Sequence, residues 1–250
     1  MDFRKVFDRI PEEFDRWRPR YCDALFADVI EAASLGPGKR ALEIGPGTGQ
    51  ATEPILKTGC SYTAIELGEH LTAFMKQKFD RYTNFSIVND DFETCDLGNE
   101  CYDLVYSAAA IQWIPEHIAF PKAYALLKPG GMLAMFLTRS EYRSENEALY
   151  QNIQKIYDQY FHPTQNYTCR MTYENAVNYG FTDFERREYH SQRVYTAEEY
   201  AAFTATHCDH IVLEEPYRTR FFDGIRQAVL DAGNRLVFRD TFVLYLTRKP

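Results

Sequence analysis

The stretch Arg40-Ala-Leu-Glu-Ile-Gly-Pro-Gly-Thr-Gly-Gln50 decides the fold and the first candidate site. An apolar strand leads directly into glycines at three alternate positions, Gly45, Gly47 and Gly49, with Glu43 just upstream. A strand that ends in glycines lets a ligand approach the backbone closely, because no Cβ stands in the way. The stretch therefore predicts a ligand-binding loop at the end of a buried strand.

The next apolar run ends in an acid. Tyr62–Ile65 is followed by Glu66, twenty-one residues after Gly45. An acid at the tip of the second strand can accept two hydrogen bonds from a ribose diol. Together, the glycine loop and Glu66 predict a site for a nucleoside cofactor.

The glycine spacing indicates which cofactor is expected. Dinucleotide-binding loops use Gly-x-Gly-x-x-Gly, in which the third glycine lets the following helix pack closely and point its N-terminus at a pyrophosphate. Here the spacing is Gly-x-Gly-x-Gly, and Gln50 stands where the third glycine would be. This pattern resembles the first motif, Glu/Asp-x-Gly-x-Gly-x-Gly, of the class I S-adenosylmethionine-dependent methyltransferases.

Two later segments extend the resemblance. Phe85–Glu93 predicts a short strand that closes on Asp91 and Phe92, where the family has an acid that binds the adenine amino group and a side chain that packs on the ring. Asp90 is the alternative candidate for the acid that binds the adenine amino group. Cys101–Ile114 predicts a fourth strand that opens onto small residues, which would leave room for the methionine end of the cofactor.

The resemblance implies a set of cofactor-binding residues. They are Glu43, Gly45, Pro46, Gly47, Thr48 and Gly49 at the methionine end, Glu66 and Leu67 at the ribose, Asp91 and Phe92 at the adenine, and Ser107 and Ala108 beside the methyl group. The expected activity is methyl transfer from S-adenosylmethionine, giving S-adenosylhomocysteine. The alternatives are a nicotinamide-dependent oxidoreductase and a non-catalytic S-adenosylmethionine-binding protein.

The acceptor is expected to be a small molecule with an oxygen or nitrogen nucleophile, a carboxylate among them. The Gln112-Trp113-Ile-Pro segment and the late helices resemble the small-molecule branch of the family, the group that includes trans-aconitate methyltransferases. The candidate substrate residues are Gln112, Trp113, Tyr173 and His190. No catalytic residue is assigned. A carboxylate acceptor needs no general base, whereas a hydroxyl or amine acceptor would be helped by one, for which His190, His207, His210 and Tyr173 are the candidates. No metal is expected, because the His207-Cys-Asp-His210 segment has no second ligand pair elsewhere.

Composition and charge narrow the classes of substrate and partner that we expect. The net charge of -8 argues against a nucleic-acid substrate, since binding to phosphates usually requires a basic face. No run approaches the roughly 18–20 apolar residues that span a bilayer, so no membrane partner is expected. Six scattered cysteines without a Cys-x-x-Cys pair favour reduced thiols and a cytoplasmic protein. We expect one domain over residues 1–250, as a monomer or homodimer.

Alternating apolar runs and amphipathic stretches predict an α/β fold with a doubly wound, seven-stranded sheet, parallel except for one antiparallel strand. Strands are expected near 40–44, 61–66, 84–89, 102–107, 131–137, 181–193 and 241–247. Helices are expected within 11–34 and near 49–58, 69–80 and 117–127. Helical insertions at roughly 142–170 and 195–233 are expected to cover the cofactor site. Ser144 and Thr196 are predicted to cap helices there.

Overall fold

A computed structural model describes residues 2–163 and 171–250. The α-helices are α1 Pro11–Trp17, α2 Asp23–Ala32, α3 Thr52–Leu56, α4 Glu69–Lys78, α5 Glu116–Leu126, α6 Glu147–Tyr160, α7 Ala197–Thr204, α8 Cys208–Ile211 and α9 Tyr217–Asp231. The strands are β1 Arg40–Ile44, β2 Ser61–Glu66, β3 Phe85–Asn89, β4 Tyr102–Ala108, β5 Leu127–Glu141, β6 Thr182–Tyr195 and β7 Leu236–Arg248. Short 3-10 helices cover Phe3–Arg9, Ile111–Trp113 and Tyr173–Tyr179.

The strands form one seven-stranded sheet in the order β3-β2-β1-β4-β5-β7-β6. The pairs among β1, β2, β3, β4 and β5 are parallel. The start of β5 lies beside the end of β7, where the Gly130 N–H donates to the Lys249 carbonyl and the Lys249 N–H to the Gly131 carbonyl. The last strand therefore runs antiparallel, and the predicted mixed sheet is confirmed.

Contacts divide the chain into two compact units. The sheet unit comprises residues 19–138, 169–189 and 242–250, and the helical unit comprises residues 1–18, 139–168 and 190–241. The two predicted insertions fall in the helical unit over most of their length. Residues 164–170 of the first insertion lie outside the described residues. That the insertions cover the cofactor site stays a prediction.

Two apolar layers cover the faces of the sheet unit. On one face, Leu25 and Val29 of α2 pack with Ile55 of α3 and Met75 of α4. On the other face, α5 contributes a cluster around Phe120. Strand β1 contributes side chains to both layers, since alternate side chains point to opposite faces of a sheet. Both faces are buried, which explains why the central strands are almost continuously apolar.

The helical unit has its own core. Leu149 and Ile153 of α6 pack in one buried cluster with Phe221 and Ile225 of α9. Helix α7 begins at the predicted cap, where the Thr196 hydroxyl accepts from the Glu199 N–H and the Glu199 carboxylate accepts from the Thr196 N–H. These reciprocal bonds satisfy two backbone donors that the start of a helix leaves unpaired.

One local prediction was wrong. Helix α6 is capped by Asn146, whose side chain accepts from the Leu149 N–H, and not by Ser144. The Ser144 N–H and hydroxyl instead bond to the carboxylate of Glu141. The predicted helical region 11–34 contains two helices, which are separated at Arg18, whose extended backbone is the conformation that a residue before proline favours.

Candidate functional site

The order of the strands in the sheet predicts where a ligand would bind. Strand β1 lies between β2 and β4, so the chain leaves β1 toward one edge of the sheet and later returns on its other side. Ligands of doubly wound sheets bind at such a switch point, outside the carboxyl ends of the strands. The ends of β1, β2 and β4 carry Gly45, Glu66 and Ser107, three of the predicted site residues.

Two glycines of the loop after β1 are sterically required. Gly45 has a φ of +64°, and a Cβ there would lie 2.6 Å from the Ala110 Cβ, just beyond β4. Gly49 has a φ of +83°, and its Cβ would lie 2.5 Å from the Phe79 ring and 2.9 Å from the Met75 sulfur. The loop backbone therefore packs directly against the end of β4 at one side and against α4 at the other.

Side chains fix the middle of the same loop. The Lys78 ammonium donates to the Thr48 carbonyl at 2.7 Å, and the Gln50 amide donates to the Thr48 hydroxyl at 2.7 Å. The Gly49 N–H closes a turn onto the Pro46 carbonyl at 2.9 Å. Thr48 and Pro46 are buried, so these predicted cofactor residues contribute through the backbone shape of the loop.

Glu66 ties the tip of β2 to that loop. Its Oε2 accepts from the Gly47 N–H at 3.1 Å, and its Oε1 accepts from the Gly68 N–H at 2.9 Å. A carboxylate oxygen can accept more than one hydrogen bond, so these contacts to the backbone do not by themselves define all that Glu66 binds. Glu66 is thus oriented by backbone on both sides, with half-buried Leu67 between it and Gly68.

Glu43 lies in a different environment from Glu66. It is fully buried on the face of β1 that packs against α3, and its Oε2 accepts from the Thr52 hydroxyl at 2.6 Å and from the Tyr62 hydroxyl. The Tyr62 hydroxyl in turn lies 2.9 Å from that of Tyr106. Strands β2 and β4 flank β1, which is why their two tyrosines meet at this carboxyl group.

The second oxygen of Glu43 is unusual. Within residues 2–163 and 171–250, Glu43 Oε1 is a buried side-chain atom that has no hydrogen-bond partner. Burial raises the pKa of Glu43 above its ordinary value, and the hydrogen bonds from Thr52, Tyr62 and Tyr106 oppose that rise only in part. The hydroxyl cluster therefore leaves one acceptor of Glu43 without a hydrogen bond.

The predicted adenine residues lie after β3. Asp91 is half-buried, and its Oδ1 accepts from the Glu93 N–H at 3.0 Å, while Asp90 Oδ1 accepts from the Asp91 N–H at 2.7 Å. Phe92 is buried in the apolar layer of α5, beneath the Lys122 ammonium at 5.1 Å from its ring centroid. Its ring packs mainly within the protein.

Ser107 has a structural role at the end of β4. Its hydroxyl donates to the Ile44 carbonyl at 3.0 Å and accepts from the Ile111 N–H at 2.9 Å. The bonds join β4 to β1 and to the 3-10 helix that carries Gln112. Ala108, by contrast, is partly exposed and offers only a methyl group. The small side chains of Ser107 and Ala108 therefore add little bulk at the end of β4, as the sequence predicts.

The structure brings two of the predicted substrate residues together. The Tyr173 hydroxyl donates to Gln112 Oε1 at 3.3 Å, and the Gln112 amide donates to the Ala109 carbonyl at 3.0 Å. The Tyr173 ring stacks on Tyr245 with centroids 4.5 Å apart. Trp113 lies next to Gln112 in the same 3-10 helix and is half-buried.

His190 belongs to the helical unit and not to the sheet unit. It is exposed on β6, and its Nδ1 lies 3.3 Å from the Thr241 hydroxyl of β7. Both residues line a cavity of about 660 Å³ together with Arg139 and Arg239. A substrate role for His190 therefore stays a prediction about that cavity.

Sequence reasoning missed the groups that surround the predicted residues. Thr52 and Tyr62 bind Glu43, Tyr106 bonds to Tyr62, and Ala110 lies against Gly45. The signal along the chain was a tyrosine within each of two predicted strands, Tyr62 in β2 and Tyr106 in β4. A search of the described residues finds no group of three or more histidine, cysteine, aspartate or glutamate side chains that could hold a metal ion. Over the same residues, no helix has the length and apolar character needed to cross a membrane.

The strand order, the antiparallel last strand and the glycine loop at the switch point define a class I methyltransferase fold. Residues 42–135 match the family model described as a methyltransferase domain. The match runs from β1 to β5 and includes the glycine loop, Glu66 and Ser107.

Two curated relatives that match parts of the chain are both named as methyltransferases. The chain is 40% identical over 75 residues to ribosomal RNA small subunit methyltransferase A of Thermosynechococcus vestitus, which covers 30% of this chain and 28% of that protein. It is 28% identical over 112 residues to trans-aconitate 2-methyltransferase of Delftia acidovorans, which covers 44% and 41%. The chain thus spans less than half the length of these curated relatives.

One solved structure matches along the whole chain. Phosphoethanolamine N-methyltransferase 2 of Haemonchus contortus, in complex with phosphomonomethylethanolamine and S-adenosylhomocysteine, superposes with a TM-score of 0.58. It is 16% identical, and the match covers 100% of this chain and 60% of that one. At this identity, the likeness concerns the fold.

Proposed function

We propose that the protein is an S-adenosylmethionine-dependent methyltransferase that acts on a small molecule. The observation that carries the proposal is Glu66, whose carboxylate is held by the Gly47 and Gly68 N–H groups at the switch point of a methyltransferase-type sheet. A carboxylate at the tip of the second strand matches a vicinal diol, which presents two hydroxyl donors at one edge. The family match over the same residues supports this assignment.

The residues present fit the cofactor. A Cβ at Gly45 would collide with Ala110. The backbone of the loop therefore approaches the end of β4 so closely that only glycine fits there. Glu43 Oε1 offers a buried acceptor that the described protein atoms leave unused. Such an acceptor suits the ammonium group of an amino acid moiety, because a buried acceptor without a partner costs about 1–3 kcal/mol.

When bound, S-adenosylmethionine supplies a methyl group already activated by its sulfonium. The chain's own task is to orient an acceptor in line with that group and to exclude water. We assign Glu66 with Leu67 to the ribose, Asp91 with Phe92 to the adenine, and Glu43 with the loop Gly45–Gly49 to the methionine end. Ser107 and Ala108 keep the end of β4 narrow beside the methyl position.

The acceptor side is assigned to the 3-10 helix after β4. Gln112 and Tyr173 form a hydrogen-bonded pair that presents an amide and a phenol, and Trp113 adds an apolar surface next to them. Such a pair can hydrogen-bond a carboxylate or a neutral amine, whose attack on the methyl group releases no proton, or a hydroxyl, whose proton then passes to water. The net charge of -8 favours a small-molecule acceptor over a nucleic acid, because a polyanion would be repelled.

A thermal melt tests the cofactor assignment. The protein is heated with S-adenosylmethionine, S-adenosylhomocysteine, NAD or NADP in parallel. A ligand at a hundred times its Kd adds about 2.7 kcal/mol, which corresponds to about 5–10 °C at this chain length. We expect a shift with the two adenosyl ligands alone. A shift with NAD or NADP instead would overturn the proposal in favour of an oxidoreductase.

Turnover is tested separately, since a protein that binds the cofactor without transferring its methyl group would give the same melt. Radiolabelled S-adenosylmethionine is incubated with the protein and a filtered extract of small molecules. We expect label in an organic or acidic small-molecule fraction. Binding of the cofactor without transfer to any fraction would favour the non-catalytic alternative.

A further inference from the structure

We propose that Glu43 is a neutral carboxylic acid in the ligand-free protein and ionises when the cofactor binds, so that binding releases a proton. The inference rests on the proposed function, because it concerns the same loop. The step is a simple acid dissociation: the O–H bond of the Glu43 carboxyl group breaks, the electron pair stays on the carboxylate, and the proton passes to the buffer.

Burial gives the first reason. Glu43 is fully buried within the apolar layer that also contains Ile55 and Met75. An ionised carboxylate in such surroundings is costly unless it is paired with a cation or fully hydrogen-bonded. Among the described residues, no cationic side chain acts on Glu43, and one of its two oxygens has no hydrogen-bond partner.

Within the part of the chain that the structure describes, the groups that face Glu43 are uncharged. They are Tyr62 from β2, Tyr106 from β4 and Thr52 from α3. Burial raises the pKa of both tyrosines well above their ordinary value, so these phenols remain protonated. The cluster can therefore solvate one carboxyl oxygen, but it provides no positive charge to hold the other as an anion.

The cofactor brings the missing charge. Glu43 lies two residues before Gly45, at the base of the loop assigned to the methionine end. An ammonium group placed at that loop favours the charged form of a nearby acid, as any opposite charge within about 4–6 Å does. The pKa of Glu43 therefore falls on binding, and the affinity for the cofactor decreases when the pH drops below the pKa of the free form.

Isothermal titration calorimetry with S-adenosylhomocysteine measures the proton directly. This ligand keeps the ammonium group and cannot react. Titrations at about pH 5, 6, 7 and 8 in two buffers of different protonation enthalpy give the number of protons released per ligand. We expect a value between zero and one that grows toward acid pH, with at most about a tenfold change in affinity per pH unit.

Two variants assign the proton to its residue. Glu43→Gln is expected to bind S-adenosylhomocysteine with no release at any pH in the series. Tyr62→Phe removes a donor to the carboxylate, so the release is expected to extend to higher pH. Tyr102→Phe is the matched control, since that buried tyrosine belongs to the opposite apolar layer, and its release profile should equal that of the unaltered protein.

Two results would overturn the inference: binding of the ligand by the unaltered protein with no proton released anywhere in the series, or the same release from Glu43→Gln. If Glu43→Gln does not fold, the Tyr62→Phe profile decides, and an unshifted profile would count against the inference. Failure of the proposed function gives a different signature, because S-adenosylhomocysteine would then produce no binding heat at any pH.

Discussion

Glu66 Oε2 accepts a hydrogen bond from the Gly47 N–H across 3.1 Å, so the tip of the second strand is bonded to the loop that follows the first. The same carboxylate reaches forward to the Gly68 N–H. One side chain therefore sets the position of two backbone segments that a bound nucleoside would touch. The bonding leaves the carboxylate oriented before any ligand arrives, which reduces the entropic cost of binding.

Glu66→Gln should weaken binding of S-adenosylhomocysteine by about 10–100-fold, because hydrogen bonds to a charged acceptor contribute about 1.5–3 kcal/mol. Calorimetric Kd values measure the effect. Glu69→Gln, an exposed acid in the first turn of α4, is the control and should leave the Kd unchanged. Equal affinity of Glu66→Gln and the unaltered protein would refute the ribose assignment.

Gly45→Ala should destabilise the sheet unit by about 2–4 kcal/mol, since it combines a strained positive φ with a methyl contact of 2.6 Å to Ala110. Urea unfolding measures the loss. Ala110→Gly in the same chain removes the contact and not the strain, so the double variant should recover part of the stability. Full additivity of the two single changes would show that the contact does not matter.

Ser107→Ala should cost about 1–3 kcal/mol, because the Ile111 N–H would lose its acceptor at a buried position. The change is read from the urea midpoint. Ser86→Ala is a matched control: its hydroxyl binds the Tyr62 carbonyl at an exposed position of β3, and its loss should change stability by no more than about 0.5 kcal/mol. Similar losses from the two variants would contradict a buried role for Ser107.

Asp103→Asn should lower stability at neutral pH and have little effect in acid. Burial raises the pKa of Asp103, but hydrogen bonds from Lys128, the Arg40 N–H and Lys39 outweigh burial and lower it overall. A lowered native pKa stabilises the fold above the unfolded pKa of about 3.9, and this contribution disappears as the pH falls through the native value.

Urea midpoints of Asp103→Asn and the unaltered protein at about pH 7 and pH 3 test that dependence. The difference should be about 1–3 kcal/mol at the higher pH and shrink at the lower one. Glu53→Gln changes a partly exposed acid paired with Arg81 and should cost less than about 1 kcal/mol at either pH. A difference for Asp103→Asn that is independent of pH would exclude an electrostatic origin.

The sequence allowed the positions of strand ends to be predicted, because the carboxyl ends of parallel strands share one edge of a sheet. Gly45, Glu66 and Ser107 each follow an apolar run and indeed lie at such ends. The surroundings of Glu43 could not be predicted in this way. Its contacts with Tyr62 and Tyr106 arise from pairing of β1 with both neighbours, which becomes visible only when the register is known.

The length of the later strands was also beyond sequence reasoning. β5 continues to Glu141, past the predicted end at residue 137, and β7 begins at Leu236, five residues before its predicted start. Buried Asp240 stabilises these extensions by bonding to Ser140 of β5 and Arg193 of β6. Polar residues in a row suggest a loop, and only their cross-strand partners show them to be part of a sheet.

The place of β7 in the sheet has a consequence for synthesis on the ribosome. β7 lies between β5 and β6, although it is made after both of them. Until Leu236–Arg248 has emerged, β6 has no neighbour in this order, and β5 presents an open edge that invites pairing with other chains. Nascent chains that stop within α9 should therefore depend on chaperones and should aggregate when these are depleted.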